Sequence, residues 1–73
     1  MLTNTPENIT VLREKIGLTQ KQCAELFGVS LRSWQRREAI GTVKDIKTSK
    51  IEFEYLLLLA DEHPEFVLVK KGR

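Results

Sequence analysis

Three polar side chains in the middle of the sequence, Arg32, Gln35 and Arg36, follow one another at the i, i+3 and i+4 spacing, which places residues on one face of a helix. An arginine can donate two hydrogen bonds to O6 and N7 of guanine, and a glutamine can bond N6 and N7 of adenine in the same bidentate way. A helix that turned this face outward would be chemically suited to contact base edges in DNA. The alternative interpretation of the same residues is an ordinary solvated helix face.

The distribution of charge favours a partner that carries phosphates. The chain has 12 Lys and Arg residues and 10 Asp and Glu residues, so its net charge is +2. Residues 32–50 contain six basic and two acidic residues, whereas residues 51–66 contain five acidic residues and no Lys or Arg. One end of the molecule is therefore predicted to meet an anionic surface, and the other end is not.

The residue types that carry most enzymatic and metal chemistry are scarce. The 73 residues include one cysteine, Cys23, and one histidine, His63, so we expect no intramolecular disulfide and no zinc site of paired ligands. The sequence also offers no glycine loop for phosphate and no paired carboxylates beside a histidine. We expect no catalytic residue, metal or cofactor, and a binding protein rather than an enzyme.

Local signals predict two short helices near the N-terminus. Thr5 followed by Pro6 is typical of a helix start, because threonine caps backbone amides and proline is preset for the first helical position. Gly17 is typical of the end of this helix. Thr19, with Gln22 three residues later, forms a capping box that begins a second helix.

A third helix follows after a very short turn. Gly28 ends the second helix and Ser30 caps the third, and two helices joined so tightly cross at a large angle, as in a helix-turn-helix. Cys23 on the second helix and Trp34 on the third are expected to point into the core.

The second half of the chain is predicted to be a loop followed by one apolar helix. Residues 41–48 are polar and rich in lysine, which indicates a loop with one short helical turn. Ser49 and Glu52 form a capping box for a helix that is expected to run to about Glu62, with His63 capping its end. The apolar run at 66–69 is ambiguous between a short strand and a helical turn.

The segment 12–38, LREKIGLTQKQCAELFGVSLRSWQRRE, resembles the Xre/Cro-type helix-turn-helix family of prokaryotic and phage DNA-binding regulators. The positions that match the family's spacings are Leu12-Arg13, Gly17-Leu18-Thr19-Gln20, Cys23-Ala24, Phe27-Gly28-Val29-Ser30, Trp34 and Glu38. The resemblance implies an all-α, five-helix, lambda-repressor-like domain over residues 1–73, with a core at 6–62 and a tail at 63–73. Its third helix would enter the major groove.

The resemblance also implies roles for individual residues. Gln20 would touch a backbone phosphate, Leu31 would offer apolar contact to a base, and Arg13 would pair with Glu38. Arg37 departs from the pattern, since the family usually has a bulky apolar residue there. With the lysines of the loop added for their charge, the predicted DNA-binding residues are Gln20, Ser30, Leu31, Arg32, Gln35, Arg36, Lys44 and Lys47.

The run at 55–60 is apolar on every side of its predicted helix, which indicates a second protein surface. One side can pack on the first three helices, and a second copy of the chain is the simplest cover for the rest. The predicted dimer-interface residues are Tyr55, Leu57, Leu58, Phe66 and Leu68.

Together these features predict a sequence-specific regulator of transcription that binds double-stranded DNA as a homodimer on a two-fold symmetric operator. We expect a repressor of a phage, mobile-element or antitoxin operon, in the cytoplasm and associated with the nucleoid. No membrane span is expected, because the longest apolar run is far shorter than the ~20 residues that cross a bilayer. The alternative is a protein-interaction module, such as a toxin-binding antitoxin, that uses the leucine-rich helix.

Overall fold

The computed structural model describes residues 2–39, 48–69 and 71, and within them the chain forms four α-helices and no β-strand. The helices are α1 (Pro6–Ile16), α2 (Gln20–Phe27), α3 (Leu31–Glu38) and α4 (Lys50–Leu59). The all-α class is therefore confirmed for this part of the chain. The expected short helical turn at 41–48 lies almost entirely outside the described residues, and a fifth helix is not found within them.

The helices begin where the capping residues predict. The side chain of Thr5 accepts a hydrogen bond from the amide of Asn8, and that of Ser30 accepts one from the amide of Ser33. At Thr19 and Ser49 the capping boxes are complete in both directions. These contacts satisfy amides that have no partner within the helix, so the start of each helix is set locally.

Two helices end at glycines, also as predicted. Gly17 and Gly28 have φ values of 87° and 70°, a left-handed conformation that residues with a Cβ adopt only at a cost. Each of these turns closes with a 6→1 backbone hydrogen bond, from Leu18 to Arg13 in one case and from Val29 to Ala24 in the other.

The predicted end of α4 is wrong. The helix stops at Leu59 rather than near Glu62, because Asp61 takes the left-handed conformation with φ 57°. The amide of Glu62 then bonds the carbonyl of Leu57 at 2.8 Å, which closes the same type of turn that the glycines form. The prediction that His63 caps this helix is also wrong. Its ring lies against Glu54 and the tail instead.

The core lies where the four helices meet. α3 packs against α2 and α1, and α4 packs against α1. Cys23 and Trp34 are fully buried, which confirms their predicted place in the core, and burial raises the pKa of the Cys23 thiol. The buried hydrophobic side chains are Ile9, Leu12, Cys23, Ala24, Trp34, Phe53, Leu56, Leu57 and Ala60.

The apolar run at 66–69 forms neither of the two structures considered for it. Residues 66–69 adopt no regular secondary structure. All four side chains are more than half exposed. None of the described helices is long and apolar enough to cross a membrane.

Candidate nucleic-acid interface

Arg32, Gln35 and Arg36 lie together on the exposed side of α3, and we call them the polar face of α3. Neither arginine side chain forms a hydrogen bond with the described residues. Leu31, at the start of the helix, is 41% exposed beside them, and Ser30 precedes it as the N-cap. These five residues therefore form one accessible surface, whereas the predicted contacts Lys44 and Lys47 lie outside the described residues.

Trp34 fixes which side of α3 faces outward. Its side chain is fully buried, and its ring lies 5.1 Å from the ring of Phe27 on α2. Because residues of a helix are about 100° apart, anchoring position 34 in the core turns positions 32, 35 and 36 toward solvent. The burial of one large aromatic residue thus sets the orientation of the polar face of α3.

Glu38 joins the first three helices at the end of α3. Its carboxylate accepts hydrogen bonds from Nε of Arg13 at 2.7 Å, Oγ1 of Thr10 at 3.0 Å and Nε2 of Gln20 at 3.1 Å, and also from the indole of Trp34. The predicted pair of Arg13 and Glu38 is confirmed, with both side chains mostly buried. This network fixes α3 against α1 and α2, so it positions the polar face without belonging to it.

The charge of Glu38 is stabilised in this setting. Burial acts most strongly on its pKa and by itself would raise it, but the hydrogen bonds from Arg13, Gln20, Trp34 and Thr10 together outweigh burial and lower the pKa. The hydrogen bond to Glu38 in turn raises the pKa of Arg13. Both groups are therefore charged at neutral pH.

Gln20 connects the Glu38 network to the polar face of α3. Its Nε2 donates to Glu38, and its Oε1 lies 3.4 Å from Nε2 of Gln35. The phosphate contact assigned to Gln20 stays a prediction. The sequence had not indicated that Gln20 would hold Gln35, because this contact depends on how α2 and α3 cross.

Arg37 is turned away from the polar face of α3. Its guanidinium donates to Oε1 of Glu52 at 3.1 Å and lies 5.6 Å from the centre of the Trp34 ring. It covers the indole where the family usually has an apolar residue, so the departure from the pattern has a structural role. The pKa of Glu52 is lowered, since hydrogen bonds from Ser49 and the charge of Arg37 outweigh the opposing effect of its burial.

The predicted dimer-interface residues separate into two groups. Leu57 is 1% exposed and belongs to the internal core, so its assignment to an interface is wrong. Leu58 is partly exposed, and Tyr55, Phe66 and Leu68 are exposed. The reason is helical geometry: Leu56 and Leu57 both lie on the side of α4 that packs into the core, and Leu58, about 100° further around the helix, lies at the edge of that side.

A groove of about 680 Å³ runs between the end of α4 and the tail, and it is lined by Leu58, Leu59, Asp61, Val67, Leu68 and Val69.

No group of three or more His, Cys, Asp or Glu residues in the described part of the chain is arranged to hold a metal ion.

The chain is similar to a bacterial antitoxin. It is 35% identical over 65 residues to the antitoxin MqsA of Escherichia coli strain K12, and the match covers 89% of this chain and 46% of that protein. The chain thus spans about half the length of this curated relative. No family model matches the chain, and no solved structure matches it.

The similarity extends well beyond the helix-turn-helix. A match over 65 of 73 residues includes parts of the chain outside the segment 12–38 that carries the family motif. The resemblance noted from the motif and the similarity to an antitoxin are therefore compatible.

Proposed function

We propose that this chain is a binding protein rather than an enzyme, and that it is a sequence-specific, double-stranded DNA-binding regulator of an antitoxin operon. The observation that carries the proposal is the polar face of α3, where two arginines and a glutamine are exposed on a helix held by the Glu38 network. The antitoxin name of the relative supports the choice of operon. The regulator acts as a repressor at the nucleoid, in the cytoplasm, by occupying its own promoter as a homodimer.

The chemistry of the polar face supports base contacts. Arg32 and Arg36 can each donate a bidentate pair of hydrogen bonds to guanine, and Gln35 can bond adenine. Gln35 is already held by Gln20, so less side-chain freedom is lost on binding. Leu31 adds an apolar contact of the kind that a thymine methyl group accepts.

Fluorescence anisotropy with a duplex from the promoter that precedes the gene tests the proposal. Binding should be tighter than to a shuffled duplex, and log affinity should fall with log salt at a slope of about −4 to −5 if roughly five phosphates are neutralised. Equal affinity for the promoter and the shuffled duplex, or no binding to either, would refute it.

A second candidate function is the binding of a toxin protein. The observation that favours it is the exposed apolar surface of α4 and the tail, which lies on the acidic part of the chain. Co-purification with the product of the adjacent gene tests this function. An Arg32→Ala, Arg36→Ala variant should keep that product bound if the two surfaces act separately, and should lose it if the product binds through α3.

A further inference from the structure

Arg37 connects the end of α3 to the first turn of α4. Its Nη1 donates to Oε1 of Glu52 at 3.1 Å, and the side chains of Arg37 and Glu52 are 11% and 27% exposed. The same oxygen of Glu52 accepts hydrogen bonds from the amide of Ser49 at 3.2 Å and from its hydroxyl at 3.0 Å. Arg37 therefore binds the carboxylate that closes the capping box of α4, so it joins α3 to the point where α4 begins.

Stability alone does not account for an arginine at position 37. A mostly buried ion pair is often no more stabilising than apolar residues of similar volume. Nε of Arg37 is also buried without a hydrogen-bond partner among the described residues, which costs free energy. An apolar side chain, which the family that the motif resembles usually has at this position, would cover the Trp34 ring without that cost. The ion pair is better explained by what it orients.

The last turn of α3 is held from two directions. Glu38 ties it to α1 and α2 through the hydrogen bonds described above. Arg37, about 100° away around the helix, ties it to α4, and this is the one hydrogen bond between α3 and α4 among the described residues. The exposed Arg36 directly precedes both. Two ties in different directions restrict the rotation of α3 about its own axis.

We propose that Arg37 and Glu52 are positioning residues, which set the rotation of α3 and so aim Arg32, Gln35 and Arg36 at the bases. Arg37 itself contacts no DNA. The proposal rests on the DNA-binding function proposed above and names two further residues on which its specificity depends. Binding groups must be held within about 0.5 Å and about 10–20° of their working geometry. A small rotation of α3 would therefore weaken the base contacts and leave the attraction between charges and phosphates unchanged.

Glu52→Gln tests the proposal because its simple electrostatic effect has the opposite sign. Glutamine also closes a capping box, so α4 should still begin at Lys50. Removal of a negative charge should by itself strengthen binding to DNA. Loss of the ion pair should instead weaken binding to the promoter roughly threefold to tenfold, while binding to shuffled DNA stays equal or becomes tighter. Fluorescence anisotropy with the two duplexes measures both affinities.

Glu65→Gln is the matched control for this loss of charge. Glu65 is exposed, and its side chain forms no hydrogen bond with the described residues. The control variant should bind the promoter as tightly as the unmodified chain or more tightly. Circular dichroism should show the same helical content in both variants, so that a difference in binding reflects the position of α3 and not unfolding.

Arg37→Leu distinguishes positioning from a direct phosphate contact. Positioning predicts that the ratio of promoter affinity to shuffled-DNA affinity falls roughly threefold to tenfold, with an unchanged salt slope for the promoter. A phosphate contact predicts that all duplexes weaken alike and that the slope falls by about one. Arg37→Lys keeps a charge that can pair with Glu52, so it should restore most of the ratio.

A double variant and the unmodified chain complete the test. Arg37→Leu, Glu52→Gln keeps the net charge of +2, and it should lose no more promoter affinity than Arg37→Leu alone, because the two residues act as one pair. Promoter binding by Glu52→Gln as tight as that by Glu65→Gln, or a salt slope reduced by one in Arg37→Leu, would overturn the proposal and leave the DNA-binding function standing. An unmodified chain that does not distinguish its promoter from shuffled DNA would refute that function, and the positioning role with it.

Discussion

Glu38 illustrates how single residues support the candidate interface without touching a ligand. Its carboxylate binds one residue of α2, two of α1 and the tryptophan of α3. The pair with Arg13 could be predicted from the family spacing. The contacts from Thr10 and Gln20 could not, because they depend on how the helices are rotated against each other, and the spacing of polar residues along one helix does not specify that rotation.

Replacing Glu38 by Gln should reduce the free energy of unfolding by about 3 kcal/mol, because Arg13 would then keep a mostly buried charge without its partner. Urea unfolding followed by circular dichroism measures the change. Arg36→Ala is the matched control on the same helix, where an exposed substitution should change stability by less than about 0.5 kcal/mol. Equal effects of the two variants would show that the network does not stabilise the fold.

The lowered pKa values of Glu38 and Glu52 predict a loss of stability in acid. Each group binds a proton more weakly in the folded state than in the unfolded state, so their contribution is complete above the unfolded pKa and is lost as pH falls through the folded pKa. The free energy of unfolding should therefore fall as pH drops below the ordinary glutamate range. In Glu38→Gln this dependence should be shallower, and an unchanged slope would contradict the assignment.

The polar face of α3 makes a prediction that separates base contacts from phosphate contacts. Arg32→Ala and Gln35→Ala should each relax discrimination at one base pair by about 1–3 kcal/mol, whereas Lys47→Ala should weaken all duplexes alike and reduce the salt slope by about one. Anisotropy against a set of single-base operator variants measures both effects. If Arg32 and Lys47 behave identically across that set, α3 does not contact the bases.

At the scale of helices, the caps explain why most boundaries could be predicted from the sequence. Thr5, Thr19, Ser30 and Ser49 act on amides within three residues of themselves, so a local pattern contains the whole interaction. The end of α4 was missed for the opposite reason. Aspartate enters the left-handed conformation only occasionally, and nothing in its local sequence indicates that Asp61 does so here.

The left-handed conformation of Asp61, with φ 57°, predicts that Asp61→Gly stabilises the protein. Glycine adopts a positive φ without the strain that a Cβ causes, so the variant should gain about 0.5–1 kcal/mol. Thermal unfolding followed by circular dichroism measures the gain. Gly17→Ala, at the equivalent position after α1, should lose a similar amount or more. A destabilised Asp61→Gly variant would show that the side chain of Asp61 matters more than its backbone conformation.

At the scale of the whole molecule, the two ends of the chain have opposite properties. The polar face of α3 is basic, whereas α4 and the tail carry most of the exposed large apolar residues of the described part of the chain, together with half of the acidic ones. Charge and composition could therefore predict that the two ends differ. They could not predict that Leu57 would be internal and Leu58 partly exposed, because the run at 55–60 is apolar on every side of the helix and its sequence does not distinguish the two leucines.

The two adjacent leucines provide the sharpest test of this division. Leu58→Lys places a charge on a partly exposed position that lines the groove, so it should give a folded monomer, with unchanged circular dichroism and half the dimer mass in sedimentation. Leu57→Lys places the same charge at a position that is 1% exposed, where an unpaired ammonium is strongly disfavoured, so it should unfold the chain.

Because a monomer has one α3 in place of two, Leu58→Lys should also bind a single half-site as well as the unmodified chain does, while losing the tighter binding to the full two-fold operator. If Leu58→Lys unfolds the protein as Leu57→Lys does, α4 serves only the internal core, and the dimer must form elsewhere or not at all.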